Sequence, residues 1–331
     1  MEPLLKMLST TEYISGEQLC AELFMTRGAV WKRMEKLREE GYAIISGGKR
    51  GYRLEPAPGS LLPGYVLKEL NTRWAGRGEI CYEPEMTSTN TRAKEMARAG
   101  APHGSLAVCD FQTAGKGRLQ RAWETPAGEA LMQSMVLRPQ MPVEQAQLCT
   151  LAAAVAVSQA IEDVCPTLRP GIKWPNDVVL NGKKCVGILC ELSADMDGIE
   201  FIIPGVGVNV NQTAFEGELA QKATSMLLEL RRENGETSPI CRRTLLCAYL
   251  RRMEDAVDAL VRDGLEGLMD EYLRRSVTLG ARVRVTGANV DFAGVARRID
   301  ETGALLVEDG DGQERRVLSG DVSVRGMMGY V

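Results

Sequence analysis

The segment Glu55-Pro-Ala-Pro-Gly-Ser60 is the sequence feature that most limits how this chain can fold. Its prolines lack a backbone donor and its glycine is conformationally free, so the segment cannot continue a helix or a central strand. Such a composition is typical of a linker between domains. The chain has 331 residues, which is long for a single hydrophobic core. We therefore expect a small domain at residues 1–56 and a separate domain that begins near residue 64.

Residues 1–56 have the pattern of a winged helix-turn-helix domain. Ser15 begins one helix with a capping box, and Thr26 caps a second helix whose apolar residues recur at helical spacing. After Gly41, two short apolar segments flank a glycine-rich turn at residues 47–51, which indicates a β-hairpin. In this layout the second helix enters the major groove of DNA and the hairpin contacts phosphates.

The charge of this segment favours binding to DNA. Residues 27–53 contain eight Lys or Arg against three Glu, whereas the whole chain has a net charge of -4. Contact with phosphates requires positive charge on the second helix and the hairpin, and it is concentrated there. A small helical module that binds another protein is the alternative interpretation. The residues expected to contact DNA are Arg27, Trp31, Lys32, Arg38, Lys49 and Arg50.

The rest of the composition disfavours several classes of protein. No apolar segment approaches the roughly 20 residues that a membrane span needs, and the first residues do not resemble a signal peptide. The nine cysteines form no Cys-x-x-Cys pair and His103 is the single histidine, so a zinc site is not expected. Free thiols in a reducing cytoplasm are the expectation.

Residues 64–275 mix helices and strands without the regular crossovers of a doubly wound sheet, so we expect an α+β domain with a mixed sheet packed on helices. Two long helices, at 143–164 and 239–263, should cover one face of that sheet, and shorter helices are expected at 65–74 and 90–99. The expected strands lie at 80–82, 106–110, 130–137, 178–180, 185–192 and 199–210. Five short β-rich segments after residue 279 predict a small β-barrel at 279–331.

A glycine-rich basic segment follows the predicted strand at 106–110. Residues 112–123, Gln-Thr-Ala-Gly-Lys-Gly-Arg-Leu-Gln-Arg-Ala-Trp, place two glycines among three cations. Glycine lets the backbone approach a ligand, while lysine and arginine supply charge and hydrogen bonds suited to phosphate. We call this segment the basic loop, and it predicts a clamp over an anionic ligand. It matches neither the phosphate loop nor the dinucleotide fingerprint, and a solvated surface loop is the alternative.

Three further segments carry polar groups that could form a site. Thr87-Ser-Thr-Asn90 lies at a predicted helix start, where its side chains either cap the helix or hydrogen-bond a polar ring of a ligand. Lys173-Trp-Pro-Asn-Asp177 is either a structural turn or a set of cation, amide and carboxylate for chemistry. Lys184 opens an apolar strand after the turn Asn181-Gly182, either as an edge gatekeeper or as a charge directed into a site.

Gly205-Val-Gly-Val-Asn-Val-Asn211 alternates glycine with valine, which leaves one face of a predicted strand without side chains. A flat ligand could lie against that face. Tight packing of a helix on the sheet explains the glycines equally well.

In this order the segments resemble the biotin protein ligase family. The resemblance is carried by Gln112-Thr-Ala-Gly-Lys-Gly-Arg118, Lys173-Trp-Pro-Asn-Asp177, Lys184-x-x-Gly-Ile-Leu189 and Gly207-Val-Asn-Val-Asn211. With the winged helix it covers essentially the whole chain and is similar to the bifunctional bacterial type, a biotin ligase that also represses the biotin operon. Gly320-Asp-Val-Ser-Val-Arg325 resembles the end of that family's C-terminal barrel. The implied fold is a class II synthetase-like sheet between a winged helix and an SH3-like barrel.

The resemblance implies a two-step reaction with biotin, ATP and Mg²⁺. The biotin carboxylate attacks the α-phosphate of MgATP to give biotinyl-5′-AMP and pyrophosphate, and a lysine of biotin carboxyl carrier protein then displaces AMP. Charge builds up on the α-phosphate in both steps, so preorganised cations are the main requirement. The implied partners are the carrier protein, operator DNA through residues 1–56 and a second copy of the chain. No membrane is implied, and the implied location is the cytoplasm.

The same resemblance assigns roles to individual residues. Lys184, Asp177 and Arg118 would be catalytic, with Lys184 near the reacting carboxylate and phosphate and Asp177 either a ligand of Mg²⁺ or a base. Biotin would be bound by Ser88, Thr89, Asn90, Gln112, Lys116, Gly117, Arg118 and Lys184. ATP or the adenylate would be bound by Gly115, Lys116, Arg118, Arg121, Trp123, Lys173, Asn176, Asn209 and Arg325, with Trp123 over the adenine.

The basic loop departs from the family's usual Gly-Arg-Gly-Arg-x-Gly-Arg pattern, because Lys116 replaces an arginine and Gln120 replaces a glycine. Lysine keeps the charge but loses the planar fork, so retention of the intermediate can differ. Two alternative functions remain: a lipoate–protein ligase, and a ligand-sensing repressor whose ligase core is inactive. The winged helix and the Lys173–Asp177 motif followed by Lys184 favour a biotin ligase over the first. Lys184, Asp177 and the basic loop count against the second.

Overall fold

The computed structural model describes residues 3–287, 290–319 and 322–326, without the side chains of residues 120, 234, 322, 323 and 325. The chain divides into two compact units, Met1–Leu70 and Asn71–Val331. No helix in the described residues is long and apolar enough to cross a membrane. The finer division at 1–56, 64–275 and 279–331 stays a prediction.

The first unit is a helical domain with a β-hairpin, as predicted for a winged helix. Its elements are α1 (Pro3–Met7), α2 (Gly16–Leu23), α3 (Arg27–Glu39), β1 (Ile44–Ser46), β2 (Tyr52–Leu54) and α4 (Pro63–Glu69). The Ser15 hydroxyl accepts a hydrogen bond from the backbone N–H of Gln18 at 3.1 Å, and Thr26 accepts one from Ala29 at 3.3 Å. Both predicted helix caps are therefore formed, and they fix where α2 and α3 begin.

One apolar core holds the first unit together, and α4 belongs to it although it follows the Pro/Gly segment. Tyr65 of α4 is buried in that core, and the backbone N–H of Gly64 donates to the hydroxyl of Tyr42 at 2.9 Å. Burial of these apolar side chains is the main stabilising contribution. Fully buried members of the core include Leu4, Leu8, Leu19, Met34 and Leu54.

The second unit contains a seven-stranded mixed sheet, which confirms the α+β prediction. Its strands are β3 (Ile80–Met86), β4 (Leu106–Gln112), β5 (Ala130–Met135), β6 (Gly171–Lys173), β7 (Asp177–Leu180), β8 (Lys183–Asp195) and β9 (Gly198–Asn209). They lie in the order β3-β4-β5-β9-β8-β7-β6. The pair β3 and β4 is parallel, and the other neighbours are antiparallel.

Helices cover both faces of this sheet. They are α5 (Thr89–Arg98), α6 (Leu148–Val164), α7 (Leu219–Lys222), α8 (Met226–Asn234), α9 (Arg242–Asp263) and α10 (Glu266–Arg275). The long helices α6 and α9 pack together over one face, as predicted. Gln133 of β5 lies beside Tyr249 of α9, whereas the next residue, Ser134, contacts Asn90 of α5. Since neighbouring residues of a strand point to opposite faces, α5 covers the other side of the sheet.

Two predicted helices have different bounds in the structure. The helix expected at 143–164 begins only at Leu148, because residues 143–145 form a separate 3-10 turn. The helix expected at 65–74 ends at Glu69. The backbone N–H groups of residues 73–75 donate instead to the buried carboxylate of Glu254, so they do not continue the helical ladder.

The C-terminal part of the second unit is a five-stranded antiparallel sheet. Its strands are β10 (Arg282–Gly287), β11 (Val290–Ile299), β12 (Leu305–Asp309), β13 (Glu314–Val317) and β14 (Val322–Gly326), in the order β13-β12-β11-β10-β14. The five predicted strands are therefore confirmed. In the described part of this sheet, no pairing between the outer strands β13 and β14 closes it into a barrel.

Candidate active site

A cleft lies on the face of the sheet that carries α5 and brings together segments distant in sequence. It is bounded by the start of α5, the basic loop, the turn between β6 and β7, and strands β8 and β9. The predicted site residues that line it are Ser88, Thr89, Asn90, Gln112, Lys116, Gly117, Arg118, Trp123, Asn176 and Lys184. The cleft is thus built largely from the segments that carry the sequence motifs.

The start of α5 presents polar groups to the cleft instead of using them all as caps. Ser88 occupies the N-cap position, but its side chain makes no capping hydrogen bond. The backbone N–H of Thr89 donates to Oε1 of Gln112 at 2.7 Å, and the Thr89 hydroxyl lies 3.2 Å from the same oxygen. The Ser134 hydroxyl on β5 lies 2.8 Å from the Thr89 hydroxyl. The sequence reasoning missed Ser134, although a polar residue in an apolar strand is a signal for such a contact.

Asn90 lies in the cleft wall, and its amide is engaged by the protein itself. Its Nδ2 donates to the carbonyl of Leu189 at 3.1 Å and to Oε2 of Glu191 at 2.8 Å, while Oδ1 accepts from Ser134 at 2.6 Å. Lys94 pairs with the other oxygen of Glu191 at 2.7 Å. Burial acts to raise the pKa of Glu191, but hydrogen bonds from Lys94 and Asn90 outweigh it and hold the pKa below its ordinary value. Asn90 therefore fastens α5 to β8.

Replacing Gly205 by alanine is expected to disrupt this fastening. A Cβ at Gly205 would lie 1.8 Å from Oδ1 of Asn90, so either the strand or α5 must shift. We expect the free energy of unfolding to fall by about 1–3 kcal/mol, as for other overpacked cores. Urea titration followed by circular dichroism measures this change. Gly310→Ala is the matched control, since a Cβ there meets no described atom within 4 Å; equal stability of both variants would contradict the prediction.

The basic loop folds back over the cleft. Arg118 donates to Oδ1 of Asn176 at 3.0 Å and also to the backbone carbonyl of Ser319, which precedes β14. Within the loop, the N–H of Gly117 donates to the carbonyl of Arg121 at 2.8 Å, and Leu119 adopts a left-handed conformation with φ 55°. Two parts of the chain therefore hold the guanidinium of Arg118 in place, whereas the side chain of Arg121 is exposed.

Lys184 points into the cleft, so its charge is directed into the site and does not guard a sheet edge. Its Nζ lies 2.6 Å from Oδ1 of Asp177 and 5.5 Å from the centre of the Trp123 ring. Both charged side chains are largely buried, with 28% and 15% of their surface exposed. A register irregularity between Val178 and Val179 accompanies this pairing. The ion pair places a cation and a carboxylate together where a polar ligand can reach them.

The strand face without side chains is covered by an aromatic ring. A Cβ at Gly187 or at Gly207 would lie 2.7 Å from an atom of the Trp123 indole, so that ring rests directly on β8 and β9. The indole Nε1 is buried and has no hydrogen-bond partner among the described residues. The glycines thus accept a flat ring, as the sequence suggested, and the ring in the structure is the protein's own.

The remaining predicted residues lie beside the cleft or outside the described atoms. Lys173 is buried at the end of β6, and the Gly115 carbonyl accepts from the N–H of Trp123 at 2.9 Å. Asn209 is buried and uses its side chain within the protein, donating to the carbonyl of Thr224 at 3.1 Å. The side chain of Arg325 lies outside the described residues.

Three segments of the chain match models of protein families. Residues 82–209 match the Biotin/lipoate A/B protein ligase family, residues 2–53 match an HTH domain and residues 278–325 match the biotin protein ligase C-terminal domain. These three segments correspond to the mixed sheet, the winged helix and the C-terminal sheet.

Curated relatives span nearly the whole chain. The bifunctional ligase/repressor BirA of Bacillus subtilis is 36% identical over 315 residues, 95% of this chain and 94% of that protein. The Escherichia coli protein of the same name is 28% identical and covers 97% of this chain and 96% of its own length. Among solved structures, the biotin protein ligase of Aquifex aeolicus in complex with biotin and ATP has a TM-score of 0.61 and 27% identity, covering 75% of this chain and 99% of that chain.

Proposed function

Because the chain belongs to the biotin protein ligase family, in its bifunctional ligase/repressor form, we propose that it activates biotin with ATP and attaches it to biotin carboxyl carrier protein. A biotin carboxylate oxygen bonds to the α-phosphorus of ATP as the bond to pyrophosphate breaks, which gives biotinyl-5′-AMP. The ε-amine of an acceptor lysine then attacks the carbonyl carbon, forms an amide with loss of a proton, and AMP leaves.

The observation that carries this proposal is that Lys184 and Arg118 line one cleft from separate segments, with Asp177 paired to Lys184. Lys184 and Arg118 supply fixed positive charge where negative charge develops on the α-phosphate, which is the main electrostatic requirement of both steps. The guanidinium of Arg118 is already held by Asn176 and Ser319. Little reorganisation is therefore needed when the anionic ligand arrives.

The other cleft residues fit the parts of the two substrates. We propose that Ser88, Thr89 and Gln112 bind the ureido ring, because they offer hydroxyl and amide groups at the polar end of the cleft. Trp123 offers an indole face for the adenine, and Lys116 closes the basic loop over the adenylate. Asn90 contributes mainly by holding the cleft wall, since its amide already has three partners.

Mg²⁺ enters this scheme as MgATP. In the described part of the chain, no three His, Cys, Asp or Glu side chains cluster in the way that a protein-held metal site requires. Mg²⁺ commonly binds one or two carboxylates together with substrate phosphates, and Asp177 is the carboxylate next to Lys184. Asp177 as a ligand of Mg²⁺, or as the base for the acceptor amine, stays a prediction.

Biotin-dependent exchange of pyrophosphate into ATP tests the first step, and transfer of radiolabelled biotin to purified carrier protein tests the second. We expect both activities with biotin and neither with lipoate. Lipoate as the preferred substrate would support a lipoate–protein ligase instead. Binding of biotin without exchange or transfer would support a ligand-sensing repressor with an inactive ligase core.

We also propose that the first unit binds operator DNA and that the protein acts in the cytoplasm. Trp31, Lys32, Lys49 and Arg50 are exposed on α3 and on the turn between β1 and β2. Two other predicted contacts have partners within the domain: the guanidinium of Arg38 donates to the carbonyl of Ile44 at 2.9 Å, and Arg27 pairs with Glu17 at 2.6 Å. The cytoplasmic location is supported by the nine cysteines, all of which are free of disulfides.

Replacing Lys49 and Arg50 together by alanine is expected to weaken operator binding without changing ligase activity. Both side chains are exposed in the hairpin turn, where they would contact phosphates. Loss of two such contacts should reduce the slope of log Kd against log salt concentration by about 1–2. Gel-shift titrations at several salt concentrations measure this slope. The control is Lys6→Ala with Lys68→Ala, two exposed cations on α1 and α4; an identical effect of both pairs would contradict a specific role of the hairpin.

A homodimer is proposed because β8 offers an edge for another chain. The strand extends to Asp195, whereas its pairing with β7 stops at Gly187. Beyond that point β9 is the partner of β8 within the described sheet, and the side chain of Leu192 is 46% exposed. An extended edge with an exposed apolar residue is suited to pairing between copies.

A further inference from the structure

The C-terminal part of the chain contacts the candidate active site through Trp174, in the turn that also carries Asn176 and Asp177. We call residues 173–177, which join β6 to β7, the active-site turn. Trp174 is 1% exposed, and its indole Nε1 donates to the carbonyl of Gly303 at 3.1 Å. Its backbone N–H donates to the hydroxyl of Thr278 at 2.9 Å. Both acceptors belong to the C-terminal part of the chain, more than 100 residues away in sequence.

The loop that carries Gly303 is held in one conformation by hydrogen bonds to Asp300, which fixes the position of the Gly303 carbonyl. It joins β11 to β12, and the carboxylate of Asp300 accepts hydrogen bonds from the backbone N–H groups of Thr302 and Ala304 at 2.9 and 3.0 Å. Gly303 has a φ of +88°, a conformation that favours glycine. Arg316 of β13 donates to the second oxygen of Asp300 at 2.6 Å and ties the loop to its own sheet.

The segment that leads into the C-terminal sheet also pairs with β6, the edge strand of the seven-stranded sheet. Ser276 pairs in parallel with Ile172 of β6, and the N–H of Val277 donates to the carbonyl of Ile172 at 2.9 Å. Thr278 follows directly, so its hydroxyl is presented to Trp174 by a backbone that is itself held in the sheet. The two acceptors of Trp174 thus reach it from two ordered segments.

Two residues that follow Trp174 contact the cations of the proposed site. Asn176 accepts from Arg118 at 3.0 Å and donates to the carbonyl of Ile188 at 2.8 Å. Asp177 pairs with Lys184 at 2.6 Å. Trp174 is thus hydrogen-bonded to the C-terminal part of the chain and precedes these two residues by only two and three positions.

We infer that Thr278 and Gly303 are positioning residues for the adenylation step, and that they act by holding Trp174 and thereby the active-site turn. This inference rests on the proposed ligase function. It predicts that loss of a hydrogen bond to Trp174 misplaces Asn176 and Asp177, which slows the reaction. The biotin pocket at the start of α5 is built from other elements and should keep its affinity.

Thr278→Val tests the inference, because valine keeps the shape of threonine and removes the acceptor. We expect kcat of biotin-dependent ATP–pyrophosphate exchange to fall about tenfold or more, since small misplacements of catalytic groups have effects of this size. KM for biotin should not change. Thr278→Ser keeps the hydroxyl and should restore kcat. Hydrogen–deuterium exchange, read by mass spectrometry over residues 171–179, should become faster in Thr278→Val than in the wild type or in Thr278→Ser.

Gln147→Ala is the matched control. Gln147 precedes α6 and donates to the same carbonyl of Gly303 at 3.1 Å, so its replacement removes a hydrogen bond of Gly303 and leaves both hydrogen bonds of Trp174 in place. Gln147→Ala should leave unchanged both kcat of ATP–pyrophosphate exchange and hydrogen–deuterium exchange at residues 171–179. Equal losses of kcat in Thr278→Val and Gln147→Ala would overturn the inference. Wild-type kcat together with wild-type hydrogen–deuterium exchange in Thr278→Val would also overturn it. Absence of ATP–pyrophosphate exchange in the wild type would refute the ligase proposal. Hydrogen–deuterium exchange at residues 171–179 would then still decide whether Thr278 holds the active-site turn.

Discussion

Replacing Lys184 by alanine is expected to lower the rate of biotin-dependent ATP–pyrophosphate exchange by about a hundred- to a thousandfold, with the fold intact. Lys184 lies in the cleft beside Asp177 and Trp123, at the point where the carboxylate and the α-phosphate are proposed to meet. Its removal deletes the charge that stabilises the transition state and leaves the largely buried carboxylate of Asp177 without this cation. Exchange kinetics at saturating biotin and ATP measure the loss.

Lys183→Ala is the control for this prediction, because the two lysines are neighbours on β8. Lys183 donates to the carbonyl of Ala220 at 3.2 Å and does not line the cleft. Lys183→Ala removes the same charge from the same strand, and it should leave the rate of ATP–pyrophosphate exchange unchanged. Normal exchange in Lys184→Ala, or an equal loss in both variants, would show that the ion pair with Asp177 is not the catalytic centre.

Replacing Lys116 and Arg118 together by alanine is expected to release biotinyl-5′-AMP. Both side chains line the cleft from the basic loop, and Arg118 reaches Asn176 and Ser319 across it. Both cations would contact the bound adenylate, and changes in affinity arise mostly from changes in dissociation, so the adenylate should leave about a hundredfold faster or more. The measurement is retention of radiolabelled adenylate on filters after a chase with unlabelled biotin.

A double neutralisation elsewhere controls for the change in net charge. Arg262→Ala with Arg274→Ala removes two cations that are 70% and 63% exposed on α9 and α10, away from the cleft. Retention of the adenylate should be unchanged in this variant. Undiminished retention in the variant of the basic loop would contradict the proposed clamp.

Local signals in the sequence predicted local structure well. The side chains of Ser15 and Thr26 accept hydrogen bonds from backbone N–H groups three residues later, so a short motif contains the whole interaction. Such inferences need only neighbouring residues and their periodicity. For Lys184 the local sequence left two roles open, an edge gatekeeper or a charge directed into a site, and the structure places its side chain in the wall of the cleft.

Interactions between distant segments were not predictable in the same way. The amide of Asn90 is engaged by Glu191 and Ser134, which come from two other strands, so its main partners could not be inferred from the motif around it. β6 has three residues, too few for a readable alternation of side chains. The contact of Trp174 with Gly303 depends on how two sheets meet, and no local pattern contains that information.

The position of Trp123 has a consequence for the thermodynamics of binding. Its indole already shields Gly187 and Gly207 from water in the free chain. A ligand ring that packs on the indole leaves these glycines covered as before, so the strand face beneath the indole adds no newly dehydrated surface. The heat-capacity change of association is therefore smaller in magnitude than the size of the ligand alone would give.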